Sequence, residues 1–225
     1  ASQRFEHRSF DQWLTHNVDT HKKPGYAIVT LTMKKTGTPP GDVTDRQLEQ
    51  IADLADEYSF GEIRVTHHQN VVLADVRQDR LLELWRAITP MGFGTANLNT
   101  LTDVICCPGG DFCALANAKS IPVAEAIQRK FDDLDYLYDL GNIDLNISGC
   151  MNACGHHHVG NIGVLGVDKK GEEFYQISLG GSSHHDASIG KILGPSFARN
   201  EMPEVIAKII DVFVDKRTEE ETFLD

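Results

Sequence analysis

A chain of 225 residues is long enough to bury a sizeable core and form one or two domains. Its 41% hydrophobic and 24% charged content is ordinary for a globular protein, and no apolar run approaches the ~18 residues of a membrane span. The formal charge of 21 − 33 = −12, with only short basic pairs at Lys22–Lys23 and Lys34–Lys35, excludes general nucleic-acid binding and leaves any anionic substrate in need of local cations.

The stretch Ala1 to Phe10 is polar and lacks the apolar core of a secretory signal. Five cysteines, an odd number, argue against a complete disulfide framework. Reduced thiols in a cytoplasmic setting are therefore expected.

In chain order, residues 1–20 are weakly patterned and read as an N-terminal arm, extended or briefly helical. Tyr26 to Met33, rich in β-branched and aromatic residues, predicts a strand. Lys34 to Gly41 is a loop, after which Thr44 and Gln47 are spaced as a capping box. Leu48, Ile51, Ala52 and Ala55 are expected on one face of the helix that follows. Glu62–Thr66 and Val71–Leu73 predict two short strands, and Leu81, Leu84, Trp85 and Ile88 an amphipathic helix closed by Pro90 and Gly92. This β-α-β-β-α order is most of a ferredoxin-like half-unit, here assigned to residues 21–98, with a last strand expected near Gly94–Leu98. The fold class is thus α+β.

All five cysteines lie in residues 99–225, the second expected domain. There Ala114 to Phe131 predicts a helix kinked or restarted at Pro122. Ile143–Ile147, Ile162–Val167 and Phe174–Leu179 predict strands, with Lys169 to Gly171 turning between the last two. Pro203 opens a C-terminal helix carrying Val205, Ile206, Ile209, Ile210 and Phe213. The acidic end, Asp215 to Asp225, is expected to fray.

The chemistry concentrates in two segments, CCPGGDFC from Cys106 to Cys113 and GCMNACG from Gly149 to Gly155. Setting Cys106 aside as a small buried hydrophobe, the spacing is Cys107-x5-Cys113, thirty-six residues, then Cys150-x3-Cys154. Four thiolates are the number a four-iron cluster takes, one per iron. Zinc also accepts thiolates, although its structural knuckles space them more tightly, and simple buried thiols are the third reading. Pro108, Gly109, Gly110, Gly149 and Gly155 permit sharp turns and close backbone approach, which suits amides aimed at cluster sulfur.

Cys107-x5-Cys113 with Gly149-Cys-x-Asn-x-Cys-Gly155 resembles the motif of the siroheme-containing sulfite and nitrite reductase hemoproteins. Arg64-Val-Thr66 with Gln69-Asn70 is similar to that family's Arg-x-Thr-x-x-Gln-Asn strand pair, and likeness continues through Leu179-Gly-Gly181. Residues 20–215 share it. The resemblance implies a 4Fe-4S cluster on Cys107, Cys113, Cys150 and Cys154, coupled to siroheme through the Cys154 thiolate. Asn152 and Gln69 match family positions close to the cofactor. It further implies six-electron reduction of sulfite to sulfide, or nitrite to ammonia, with ferredoxin or a flavoprotein subunit as electron donor.

The chain departs from the family in length. Only one ferredoxin-like half precedes the cluster segment, and the basic residues that grip substrate belong mainly to the other half. Ala1 in place of Met agrees with a C-terminal portion that needs a complementary N-terminal half. His156 stands where some members have Arg. Siroheme carboxylates need paired cations, and a chain of −12 has few Arg or Lys nearby, so the piece alone is expected to fold, to bind siroheme weakly or not at all, and to be inactive. Either cofactor can be absent from the isolated piece. The alternative is a non-catalytic zinc or iron–sulfur module for structure or electron transfer.

Other features read blandly. Three successive histidines, His156 to His158, point in different directions and rarely ligate one ion. His67–His68 suits a surface turn, and His184–His185 with Asp186 a solvated loop. Gly92 to Gly94 is too short for a dinucleotide fingerprint, and hydrolase motifs are missing.

Overall fold

The computed structural model describes residues 2–225, with side chains described from His7 onward. It divides into two compact units, one running up to Lys35 and resuming over Gly41–Leu98, the other comprising Thr36–Pro40 and Asn99–Asp225. Each combines helices and a sheet, as the α+β class requires. Among the described residues no helix is long and apolar enough to cross a membrane.

The first unit begins with helix α1 (Ser2–Asn17), followed by strand β1 (Val18–Thr20). Trp13 anchors the helix: it is fully buried and stacks on Phe10 at a centroid distance of 5.9 Å, while Phe10 meets Trp85 at 5.4 Å. Strand β2 (Tyr26–Leu31) leads through a loop to α2 (Asp45–Tyr58). The capping box forms, the Gln47 amide donating to Thr44 Oγ1 at 3.2 Å and the Thr44 amide to Gln47 Oε1 at 2.9 Å. The buried seam of α2 is Ile51, Leu54, Ala55 and Tyr58. Leu48 and Ala52, expected on that face, lie beside it, and Leu48 is 53% exposed. The buried set follows the i, i+3, i+4, i+7 spacing from Ile51, which leaves Ala52 to one side and Leu48 at the margin of the stripe in the first turns of the helix.

Strands β3 (Arg64–Val65) and β4 (Val71–Arg77) form a hairpin, and α3 (Leu81–Ile88) buries Leu81, Leu84, Trp85 and Ile88. The sheet runs β1-β2-β4-β3, antiparallel throughout. The strand expected at Gly94–Leu98 does not form, because β1 already fills the edge beside β2. That segment instead uses side chains: buried Asn97 accepts from Thr32 Oγ1 at 2.9 Å and donates to the Lys34 carbonyl at 3.3 Å. The succession from β2 to α3 remains the ferredoxin-like β-α-β-β-α order.

The second unit is built on β5 (Ile105–Cys106), β6 (Leu145–Ser148), β7 (Ile162–Lys169) and β8 (Glu172–Leu179). The first three are parallel and β8 returns antiparallel to β7; its far edge takes the short strands β9 (Lys191–Ile192) and β10 (Phe197–Ala198). Helices α4 (Ile121–Lys130) and α5 (Leu134–Leu140) carry the crossover between β5 and β6, and α6 (Met202–Lys216) packs on α4. Val123, Ile127, Ile147, Val164, Ile177, Ile206 and Ile210 meet in one core. Each such side chain contributes roughly 1.5–3 kcal/mol by leaving water.

Two expectations change here, and one helix is added. The helix expected from Ala114 starts only at Ile121, with Pro122 in its first turn. Helix α5, which periodicity does not reveal, is capped by Asp133, whose carboxylate accepts from the Asp135 and Tyr136 amides at 3.0 and 3.3 Å. The acidic end is docked rather than frayed: Arg217 donates to the Asp139 carboxylate at 2.6 Å and carbonyl at 2.7 Å, and Phe223 meets Phe213 edge-on at 5.3 Å.

Candidate metal centre

Two parallel strands bring the cysteine segments together. Cys106 pairs with Ile147 in register, and the Cys107 amide donates to the Ile147 carbonyl at 3.0 Å. Cys107 therefore leaves the carboxyl end of β5 beside the carboxyl end of β6, from which Gly149 and Cys150 emerge. Loops at the carboxyl ends of neighbouring parallel strands are where α/β sheets assemble ligand sites.

The two loops are stitched by backbone. The Gly149 amide donates to Cys107 Sγ at 3.1 Å, and its carbonyl accepts from the Asn117 and Ala118 amides at 2.9 and 3.0 Å. These last two bonds explain why residues 114–120 are not helical: their amides serve the other cysteine loop. A Cβ on Gly149 would lie 2.6 Å from the Ala118 carbonyl oxygen and 2.8 Å from Gly109 Cα, so only glycine fits. Ser120 Oγ lies 3.5 Å from Cys107 Sγ. Within the first loop the Cys113 amide donates to the Gly109 carbonyl at 2.9 Å.

The second loop turns tightly between Cys150 and Gly155. The Ala153 amide donates to the Cys150 carbonyl at 3.2 Å, and Ala153 itself takes the left-handed conformation, φ +56°. The Gly155 amide donates to Ser148 Oγ at 3.1 Å, and a Cβ at Gly155 would collide with the Ile147 carbonyl. The hydroxyls of Ser120 and Ser148 are thus part of the site, although nothing in the spacing singled them out.

None of the five cysteines is joined in a disulfide. Cys107 and Cys150 are buried, Cys113 is half-buried and Cys154 is exposed. Cys106 is buried with its thiol donating to the Cys107 carbonyl at 3.2 Å. Exposed apolar side chains flank the ligand candidates: Phe112 at 79%, Leu115 at 73% and Met151 at 84%. Asn152 is exposed within the Cys150–Cys154 loop. Gln69 belongs to the first unit, at the turn between β3 and β4 with φ +59°.

Among the described residues no group of three or more His, Cys, Asp or Glu could hold a metal ion. A mononuclear zinc site draws four donors to about 2.3 Å from one centre. A cluster places one thiolate on each iron, so its ligand sulfurs surround a larger body. All-thiol donors and an amide already directed at one sulfur suit a cluster.

The histidines divide. His157 is buried, its ring 3.9 Å from that of His158, and burial followed by the charge of His158 pushes its pKa down to about 4. His67 and His68 occupy the β3–β4 turn, and exposed His184 lies 3.4 Å from Asp144. Cavities of about 580 and 540 Å³ lie along α6 and the C-terminal tail and include no cysteine.

Residues 24–91 match the Nitrite/Sulfite reductase ferredoxin-like half domain family, and residues 98–222 match the Nitrite and sulphite reductase 4Fe-4S domain family. A curated relative, "Sulfite reductase [ferredoxin] 2" of Mycolicibacterium paratuberculosis, is 30% identical across 81% of this chain and 35% of its own length. The "Assimilatory ferredoxin-dependent nitrite reductase" of Haloferax mediterranei is 29% identical across 81% of this chain and 32% of its own. The solved NirA protein of Mycobacterium tuberculosis superposes with a TM-score of 0.76 at 26% identity, covering 92% of this chain and 39% of that one. The chain spans about a third of the length of the curated relatives it matches.

Proposed function

The chain belongs to the nitrite and sulfite reductase family, and from that premise we propose that it is the cluster-bearing portion of a reductase acting on sulfite or nitrite. Cys107, Cys113, Cys150 and Cys154 are assigned as ligands of a 4Fe-4S cluster, and Cys154, the exposed thiol among them, as the ligand shared with siroheme. When bound, such a pair supplies electrons one at a time to an anion that must take up six.

The observation that carries this reading is the meeting of two distant cysteine loops at one end of β5 and β6, with the Gly149 amide on Cys107 Sγ. That bond aims a backbone donor at the sulfur assigned to iron, as the surroundings of cluster sulfur commonly do. Burial of Cys107 and Cys150 keeps water from the inner ligands, while Cys154 remains open on the outer side. The exposed Phe112, Leu115 and Met151 offer apolar surface for a macrocycle or a further protein segment to cover.

The partners follow the same premise: sulfite or nitrite as substrate, ferredoxin as donor, and a complementary half supplying the cations for substrate and siroheme carboxylates. Asn152 and Gln69 are assigned to the cofactor's surroundings. Their support is sequence position together with the exposure of Asn152 beside Cys154.

Anaerobic purification with iron and acid-labile sulfide analysis tests the assignment. About four of each per chain are expected. Zinc bound without sulfide would replace it with a structural zinc module. Co-expression with the complementary half, followed by addition of sulfite or nitrite to the reduced complex, tests the activity by a substrate-dependent change in absorption.

A further inference from the structure

The turn that follows Cys154 rests on a second polar feature that the cluster reading does not use. His157 is 3% exposed and Ser178, on β8, is 8% exposed. His157 Nδ1 and Ser178 Oγ each have no hydrogen-bond partner among the described residues. Both residues line one cavity of about 130 Å³, together with His158, Gln176, Gly190 and Ile192. The two come close around Gly163: a Cβ there would lie 2.5 Å from Ser178 Oγ and would collide with the His157 carbonyl.

A buried polar atom left without a partner costs about 1–3 kcal/mol, and native interiors rarely tolerate it. Two such atoms in one cavity call for a shared ligand. The cavity has room for up to about four waters at ~30 Å³ each. Its chemistry narrows the choice. No lysine, arginine or acidic side chain lines it, and the imidazole carries both a donor and an acceptor, as the hydroxyl does. An anion would find no lysine or arginine there, and among the described residues no group of three His, Cys, Asp or Glu gathers for a metal ion. Water satisfies both groups.

We propose that this cavity is a hydration site: ordered water bridges His157 Nδ1 and Ser178 Oγ, and the bridge holds the turn that follows Cys154. The backbone already ties that turn on its other sides. Asn146 Nδ2 donates to the His156 carbonyl at 3.0 Å, and the Gly190 amide to the His158 carbonyl at 2.8 Å. The water bridge supplies the remaining tie, from the imidazole to β8. His157 and Ser178 are then positioning residues for the Cys154 loop.

The first test is independent of any cofactor. Crystals of the full chain at a resolution that orders solvent are expected to show water within about 3.2 Å of both His157 Nδ1 and Ser178 Oγ. A dry cavity, or a direct bond between the two side chains, overturns the proposal.

The second test, which rests on the cluster assignment, compares His157→Leu, His157→Asn and Ser178→Ala in protein loaded with iron and sulfide. Asparagine places a polar atom near the position of Nδ1, so it keeps the bridge while leucine removes it. The leucine and alanine variants are expected to lose cluster absorption in air about tenfold faster than the unaltered chain, with asparagine close to it. Equal rates in all four proteins, with water still ordered in the cavity, would remove the positioning role. A chain that never takes up iron fails the cluster assignment and leaves the crystallographic test standing.

Discussion

The Gly149 amide donates to Cys107 Sγ at 3.1 Å, joining two loops that lie far apart in sequence. The bond exists because Gly149 can pass within van der Waals distance of Gly109 and the Ala118 carbonyl. Gly149→Ala would press a methyl group against both, and each is backbone with no rotamer to yield. A loss of roughly 1–3 kcal/mol is expected, in the range of core overpacking. Iron uptake should fall with it, read as iron and sulfide per chain beside a urea midpoint. Wild-type values for both would show that the loops have slack that the geometry does not reveal.

The five thiols make a graded series. Alanine at Cys107, Cys113, Cys150 or Cys154 is expected to remove nearly all cluster iron, because one iron is left without a protein ligand and the cluster is no longer held on all sides. Alanine at Cys106 should leave the iron content intact and cost about 1 kcal/mol for the missing sulfur volume. Equal iron loss at Cys106 would assign it as a ligand and displace one of the four.

His157 gives the second unit an acid-sensitive point. Its pKa is about 4 in the native chain and near 6.5 when unfolded. Below pH 6.5 the unfolded state takes up a proton that the native state refuses until about pH 4. This residue therefore costs nothing above 6.5 and an increasing amount from 6.5 down to 4, about 2 kcal/mol at pH 5. Urea unfolding of the unaltered chain and His157→Asn at pH 7 and pH 5 measures it. The variant should lose less stability on acidification, and identical losses would rule out the titration.

Trp13 tests whether α1 belongs to the first unit's core. It is fully buried, with Phe10 stacked on it and Trp85 beyond. Trp13→Ala is expected to cost about 3–5 kcal/mol, and truncation before residue 18 a similar amount. A change below 1 kcal/mol would mark the helix as peripheral.

Much of this architecture is written in periodicity. Helix α3 shows its buried face in Leu81, Leu84, Trp85 and Ile88, and β7 and β8 show theirs in long β-branched and aromatic runs around Lys170–Gly171. Thr44 and Gln47 foretell the start of α2. What the sequence hides is decided by contacts distant along the chain. Residues 114–120 have helical composition, yet the Asn117 and Ala118 amides are drawn to Gly149. Gly94–Leu98 has the residues for a strand, yet Val18–Thr20 takes the sheet edge. Leu48 is apolar and three residues before Ile51, yet it is exposed near the start of α2. The cysteine segments stand out in the sequence because ligand chemistry restricts residue type, whereas Ser120 and Ser148 act through hydroxyls that many residues in a loop could carry.

The parallel pairing of Cys106 with Ile147 has a consequence for how this region tolerates change in length. Because two hydrogen-bonded strands set where both loops begin, the polypeptide running between them through α4 and α5 is a detour. Residues inserted at Gly141–Asn142, where the chain turns toward β6, would lengthen the detour without moving its ends. A single residue added inside β5 or β6 would rotate one set of sulfurs to the opposite side of the sheet.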